Sequence, residues 1–289
     1  MRRSFVWLFP ALGLVSVLGC GARPAASRAP VELDIQYSLE RRSPPANFRL
    51  HVPAHGTSQL VLHRAPSANP TGAAGYFAVR PQSEERAAID RQIEAHSLLG
   101  RHDEPDLSEG VGGMLKLSRG ARHAEISLGA RDEAARGLVL LLDGIVARAT
   151  ERPLAALQLV AHARRDDARA RFEISLVHRG VQPLDVAVVP RGEPHAVLSL
   201  RLLLERRGKL VNELTASPDD IRRLFRDPWR RVEPKTSWKL PPLAMPLPES
   251  EAGLFARVEA KLRVKTAQHP AVDIQLTSPS VSLGDEEEQ

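Results

Sequence analysis

Apolar residues fall at every second position from Val31 through Leu33, Ile35, Tyr37 and Leu39. That is the period of a strand with one buried face. Pro44-Pro45 turns the chain, and Phe48-Leu50-Val52 and Leu60-Val61-Leu62 read as a second and third strand around Pro53-Ala54-His55-Gly56. An antiparallel meander is the simplest arrangement. After a short apolar segment at Tyr76-Phe77-Ala78-Val79 the period changes. Ser83 is placed to cap, Glu84 and Glu85 suit the positive end of a helix dipole, and Ile89, Ile93 and His96 share one face. A helix is expected from about Glu84 to Leu99, ended by Gly100. Met114 to Ser118 and His123 to Leu128 flank Arg119-Gly120-Ala121-Arg122 and predict a hairpin. Leu138, Leu141, Leu142, Ile145 and Ala149 then recur at three and four residues, a helical stripe that begins at Asp132 and ends before Pro153.

Beyond Leu154 the helical period nearly vanishes. Leu157-Leu159 (with Ala161), Phe172-Ile174-Leu176, Leu184-Val186-Val188, Leu198-Leu200-Leu202-Leu204, Trp238-Leu240, Leu254 to Val264 and Val272-Ile274-Leu276 alternate, with turn residues between them. One short helix is expected among these strands, at Ser217 to Phe225, where a capping serine, a first-turn proline and two aspartates precede an apolar pair. The pattern therefore predicts an α+β domain, an antiparallel sheet with two helices, over 31–152. An all-β sandwich follows over 153–283, and its strand count and spacing resemble the immunoglobulin and fibronectin type III architecture.

The first 19 residues carry a different signature. Arg2 and Arg3 precede the apolar run Phe5 to Leu18, which is too short for a typical spanning helix and fits an export signal. Its ending, Val17-Leu18-Gly19-Cys20, resembles the lipobox of bacterial lipoproteins. That resemblance implies removal of residues 1–19 and diacylation of the Cys20 sulfur by palmitate-type chains. It makes residues 20–30 a lipidated tether. Cys20 is the one cysteine among 289 residues, so no intramolecular disulfide competes for it. Two acyl chains anchor stably where one is marginal. In the family's sorting logic Gly21, not being aspartate, implies the outer membrane over the inner. Residues 284–289 form a solvated acidic tail.

Charge and candidate chemistry narrow the function further. Lys plus Arg number 40 against 35 Asp plus Glu. Loss of Arg2 and Arg3 with the signal leaves a net charge near +3, too small and too scattered for a nucleic-acid surface. No Gly-x-Ser-x-Gly elbow, phosphate loop, dinucleotide fingerprint or HExxH pair occurs, so no catalytic residue, cofactor or metal is assigned. The 10 histidines include His51, His55 and His63, which adjacent strands could bring together. The leading expectation is a non-catalytic envelope lipoprotein that touches membrane lipid through Cys20 and binds or supports an envelope protein. The alternatives are an envelope enzyme with a site at the 101–123 loop and hairpin, around His102, Asp103, Asp106 and His123, and a small-molecule or glycan binder using Trp229 and Trp238.

Overall fold

The computed structural model describes residues 33–41, 46–65, 71–103, 111–128, 133–166, 168–187, 199–215, 229–248 and 253–283. The described residues fall in one compact unit. The first strands are β1 (Leu33–Arg41), β2 (Ala46–Val52), β3 (Gln59–Arg64) and β4 (Ala74–Ala78). Helix α1 (Ser83–Ala95), the hairpin β5 (Val111–Arg119) and β6 (Arg122–Ser127), and helix α2 (Glu133–Ala149) follow. The remainder is strand: β7 (Pro153–Asp166), β8 (Arg169–His178), β9 (Leu184–Ala187), β10 (Ser199–Arg206), β11 (Lys209–Thr215), β12 (Trp229–Val232) and β13 (Ser237–Lys239). The last are β14 (Leu243–Pro246), β15 (Leu254–Lys265), β16 (Val272–Thr277) and β17 (Val281–Ser282).

Pairing runs from β6 through β5, β1, β2, β3 and β4, and then into β7 and β8. Strands β13 and β14 pair with the far side of β8. A second set is centred on β15, which pairs with β10 and β9 along one side and with β16 and β17 along the other. β11 extends the β10 side and β12 the β9 side. β15, β16 and β17 also pack against β7 without being hydrogen-bonded to it. Strands thus face each other across a shared core, which makes the fold β-sandwich-like.

The expected α+β N-terminal domain is not what forms. The described chain is mostly antiparallel β with only two helices, and the strands of both halves belong to one hydrogen-bonded network. The physical reason lies in β4. Its Tyr76-Phe77 segment pairs with β3 on one side and with β7 on the other, Ala74 facing Leu157 and Tyr76 facing Ala155. The sheet of the first half therefore continues into the second at the point where a domain boundary was expected.

Two glycines allow that junction to close. Gly75 has φ +135°, and a Cβ there would lie 2.9 Å from the Ala156 Cα. Gly180, in the turn after β8, lies so close to β7 that a Cβ would fall on the Leu154 carbonyl oxygen. The backbone at Leu154–Ala156 is thus approached by glycine from β4 and again from the β8–β9 turn.

Alternation places the core as the sequence suggests. On β15, Leu254, Ala256, Val258, Ala260, Leu262 and Val264 are all buried, while Arg257 and Arg263 between them pair with Glu205 and Asp273. Helix α2 buries Ala135, Leu138, Leu142, Ile145, Val146 and Ala149, and its Asp143 accepts a 2.8 Å hydrogen bond from the buried Tyr37 of β1. Helix α1 differs at both ends from expectation. Gln82 is the cap, its N–H donating to the Glu85 carboxylate at 2.8 Å, and Ser83 is the first helical residue. Its C-terminus closes with Ser97 at φ 50°, as Leu98 N–H donates to the Ile93 carbonyl and Ser97 N–H to that of Glu94. This is the Schellman arrangement with serine in the left-handed position usually taken by glycine. The expected helix at 217–225 and the acidic tail lie outside the described residues.

Candidate functional site

Cys20, the one residue with a specific chemical expectation, lies outside the described residues, as does Asp106. The remaining members of the 101–123 cluster do come together. Gly100 to Asp103 runs beside β6, where Glu125 N–H donates to the Arg101 carbonyl and Asp103 N–H to the Glu125 carbonyl, both at 2.9 Å. This short parallel bridge puts His102 next to Glu125. On β6 the side chains of His123 and Glu125 share the exposed face, because Ala124 and Ile126 take the buried one. The His102 and His123 rings meet edge-on with centroids 5.1 Å apart.

Glu125 is the charged centre of this patch. Lys116, opposite on β5, donates to its carboxylate at 2.8 Å and holds it below the usual carboxylate range, with His102 and His123 adding smaller pulls in the same direction. Asp103 does not join them: its carboxylate is engaged by Arg101 Nε at 2.9 Å and Nη2 at 2.7 Å. The patch is open to solvent. It offers two exposed imidazoles and a paired, exposed carboxylate.

The other expected clusters separate. His51 Nε2 lies 3.0 Å from Asp34 Oδ2, whereas His63 Nδ1 takes a 2.8 Å contact with the Asp273 carbonyl. Among the described residues no three His, Cys, Asp or Glu side chains converge on a position for a metal ion. Trp238 is buried at 8% exposure, with the Arg230 guanidinium 4.4 Å above its ring. Trp229 is half-buried under the Lys265 ammonium, 4.1 Å from the ring centroid. Each indole therefore carries a cation of the same chain over one face of its ring, and a ligand stacking on that face would have to displace it.

Two buried side chains with polar tips, Tyr76 and His178, are not among the candidates the sequence names. Tyr76, fully buried on β4, donates its hydroxyl toward the Val264 carbonyl at 3.3 Å and to that of Pro270. Its ring stacks on His269 at 5.0 Å, and His269 Nδ1 in turn lies 3.1 Å from Gln59 Nε2. Burial pushes the Tyr76 phenol up from 10.0 to about 12 and the His269 imidazole down. His178, at 1% exposure, ends the buried row Ala170, Phe172, Ile174, Leu176 of β8. That alternation is visible in the sequence and was the signal available for it.

No protein-family model matches the chain, and no curated protein matches it. Several solved structures resemble parts of it. One, described as the ApaA protein of Bordetella pertussis, is 9% identical with a TM-score of 0.30, over 46% of this chain and 97% of that one. R. palustris CsgH, solved in solution, is 9% identical with a TM-score of 0.21, over 42% and 90%. A structural-genomics target, SoR45, is 8% identical with a TM-score of 0.26, over 47% and 89%. Likeness at this level carries no argument about what the chain binds or does.

Proposed function

We propose that the chain is a lipid-anchored bacterial envelope protein that acts by binding or structural support and not by catalysis. The observation that carries this reading is Val17-Leu18-Gly19-Cys20 at the end of a basic-then-apolar leader, with no second cysteine in the chain. Thioether-linked acyl chains at Cys20 would hold the mature N-terminus at the membrane, and residues 21–30, small, prolyl and polar, would space the β-sandwich-like body from it. An immunoglobulin-type sandwich is the finer form of that body consistent with the strand pattern. The outer membrane is the proposed address, since Gly21 follows the cysteine.

Expression of Cys20→Ser beside the wild type in a bacterial host, followed by fractionation, tests the proposal. The wild type should sediment with membranes and the variant should not. Identical partitioning of the two sinks the reading. A second reading, a small-ligand site, has one observation in its favour: the pinned His102–His123 pair beside Glu125. Unchanged imidazole chemical shifts of His102 and His123 across a panel of metal cations and small anions would remove it.

A further inference from the structure

His178 is placed so that its protonation state decides whether the β8–β9 turn is held. Gly180 N–H donates to His178 Nδ1 at 3.0 Å. Nδ1 must therefore carry a lone pair, which puts the ring proton of the neutral form on Nε2. Nε2 is buried and meets no hydrogen-bond partner among the described residues. The Gly180 bond thus sets the neutral ring in one tautomer, and that bond is lost once Nδ1 takes a proton, because two N–H donors would then face each other.

The turn that Nδ1 holds does work of its own. Arg179 N–H donates to the Ala156 carbonyl at 2.9 Å, and Val181 and Gln182 N–H both donate to that of Leu154 at 2.8 Å. These bonds extend the β7–β8 pairing past its last strand residue, and they need the close approach that Gly180 permits. On its other side His178 N–H donates to the Thr236 carbonyl at 2.9 Å, in the turn between β12 and β13. One imidazole therefore sits where β7, the β8–β9 turn and the β12–β13 turn meet.

We propose that His178 is a proton-operated latch: its neutral ring holds Gly180 and keeps the 179–182 turn docked on β7, and protonation of Nδ1 releases that turn.

The surroundings of the ring favour the neutral state. Burial lowers its proton affinity and outweighs the groups that pull the other way, which are the backbone of Gln182 and Gly180 in the same turn and then Glu233 in the β12–β13 turn. Glu233 is itself paired with Arg231 at 2.7 Å, and Lys235 of the same turn is exposed. From β7 the residue opposite is Leu157, and no ionisable residue occurs between Pro153 and Ala161. Arg179, the next residue along the chain, donates to Gln158 Oε1 at 2.7 Å. A histidine whose folded state prefers the neutral form stabilises the fold above its unfolded pKa, here 6.5. That contribution is lost as pH falls below that value.

The test is amide hydrogen exchange on the purified full chain, read at Gly180, Val181 and Gln182 between about pH 7.5 and pH 5 after correction for intrinsic rates. His178→Asn is the comparison, since its carboxamide oxygen can accept from Gly180 N–H and does not titrate. The expected result is that protection at these three amides falls by about tenfold or more on acidification in the wild type and stays level in the variant. Burial shifts His269 in the same direction, and the amides of Thr266, Ala267, Gln268 and His269 report on it separately. Equal loss in both proteins, or no loss in the wild type, overturns the latch. Should the variant not fold, the nitrogen shifts of the wild-type ring decide: an Nε2–H tautomer at neutral pH supports the proposal, and an Nδ1–H tautomer overturns it.

Discussion

Replacing Tyr76 by phenylalanine removes one oxygen atom and tests whether the two halves of the chain unfold together. The ring would keep its burial on β4 and its stacking on His269. What disappears is the hydroxyl that reaches carbonyls 188 and 194 residues away, at Val264 and Pro270. A lost buried hydrogen bond that leaves its acceptor unsatisfied costs about 1–3 kcal/mol. One hydroxyl proton serves both carbonyls, and Val264 sits in a strand paired on both sides, so the whole of that range applies, about 1–3 kcal/mol. Urea denaturation followed by both far-ultraviolet dichroism and tryptophan fluorescence reads it, since Trp229 and Trp238 both lie beyond β8. Both probes should shift to lower urea by the same amount. The pH dependence adds a second check. With the phenol raised from 10.0 to about 12 in the fold, its contribution is whole below pH 10 and is lost as pH climbs toward 12. The variant should lack that alkaline loss. A change below about 0.5 kcal/mol, or a shift in only one probe, refutes the reasoning that β4 and the β15–β16 loop form one cooperative structure.

Gly180→Ala should destabilise by about 2 kcal/mol or more, because the new methyl meets the Leu154 backbone and no flexible side chain can yield there; urea midpoints measure it. Phe172→Ala empties a fully buried position on β8 and should cost about 3–5 kcal/mol in the same assay. Lys265→Met takes the ammonium from above Trp229 while keeping the chain length, and should cost no more than about 1 kcal/mol by thermal denaturation.

Strands with one buried face were legible because burial writes a period of two into the sequence. β1, β8, β15 and β16 were each visible for that reason, and the α2 stripe for its helical counterpart. β11 was not visible, because Leu210, Val211 and Leu214 are exposed and neither face of the strand imposes an alternation. β12 sets two exposed arginines, Arg230 and Arg231, between Trp229 and Val232, and β14 buries only Met245 and ends in Pro246, so neither writes a run of alternating buried positions. β4 was seen only as an apolar segment, since four of its five residues are buried and its partners lie on β3 and β7. That last pairing, far apart in sequence, is what turned an expected α+β domain into part of a mostly antiparallel β structure. The end of α1 was missed by a few residues because Ser97 took the left-handed position before Gly100 was reached. At the 101–123 cluster the sequence named His102 and His123, whose rings meet, while Glu125 beside them reads in the sequence as an ordinary outward residue of β6.

The account rests on Cys20 being an attachment point, and mass spectrometry of the N-terminal peptide tests it most directly. Protein recovered from the membranes of an expressing bacterium is digested, and the peptide that contains residue 20 is measured. The predicted result is a chain beginning at Cys20 with a diacylglyceryl group on its sulfur, with or without a third acyl chain on the amine. A free Cys20 thiol within an uncleaved leader, or a cleaved chain beginning at another residue, contradicts it.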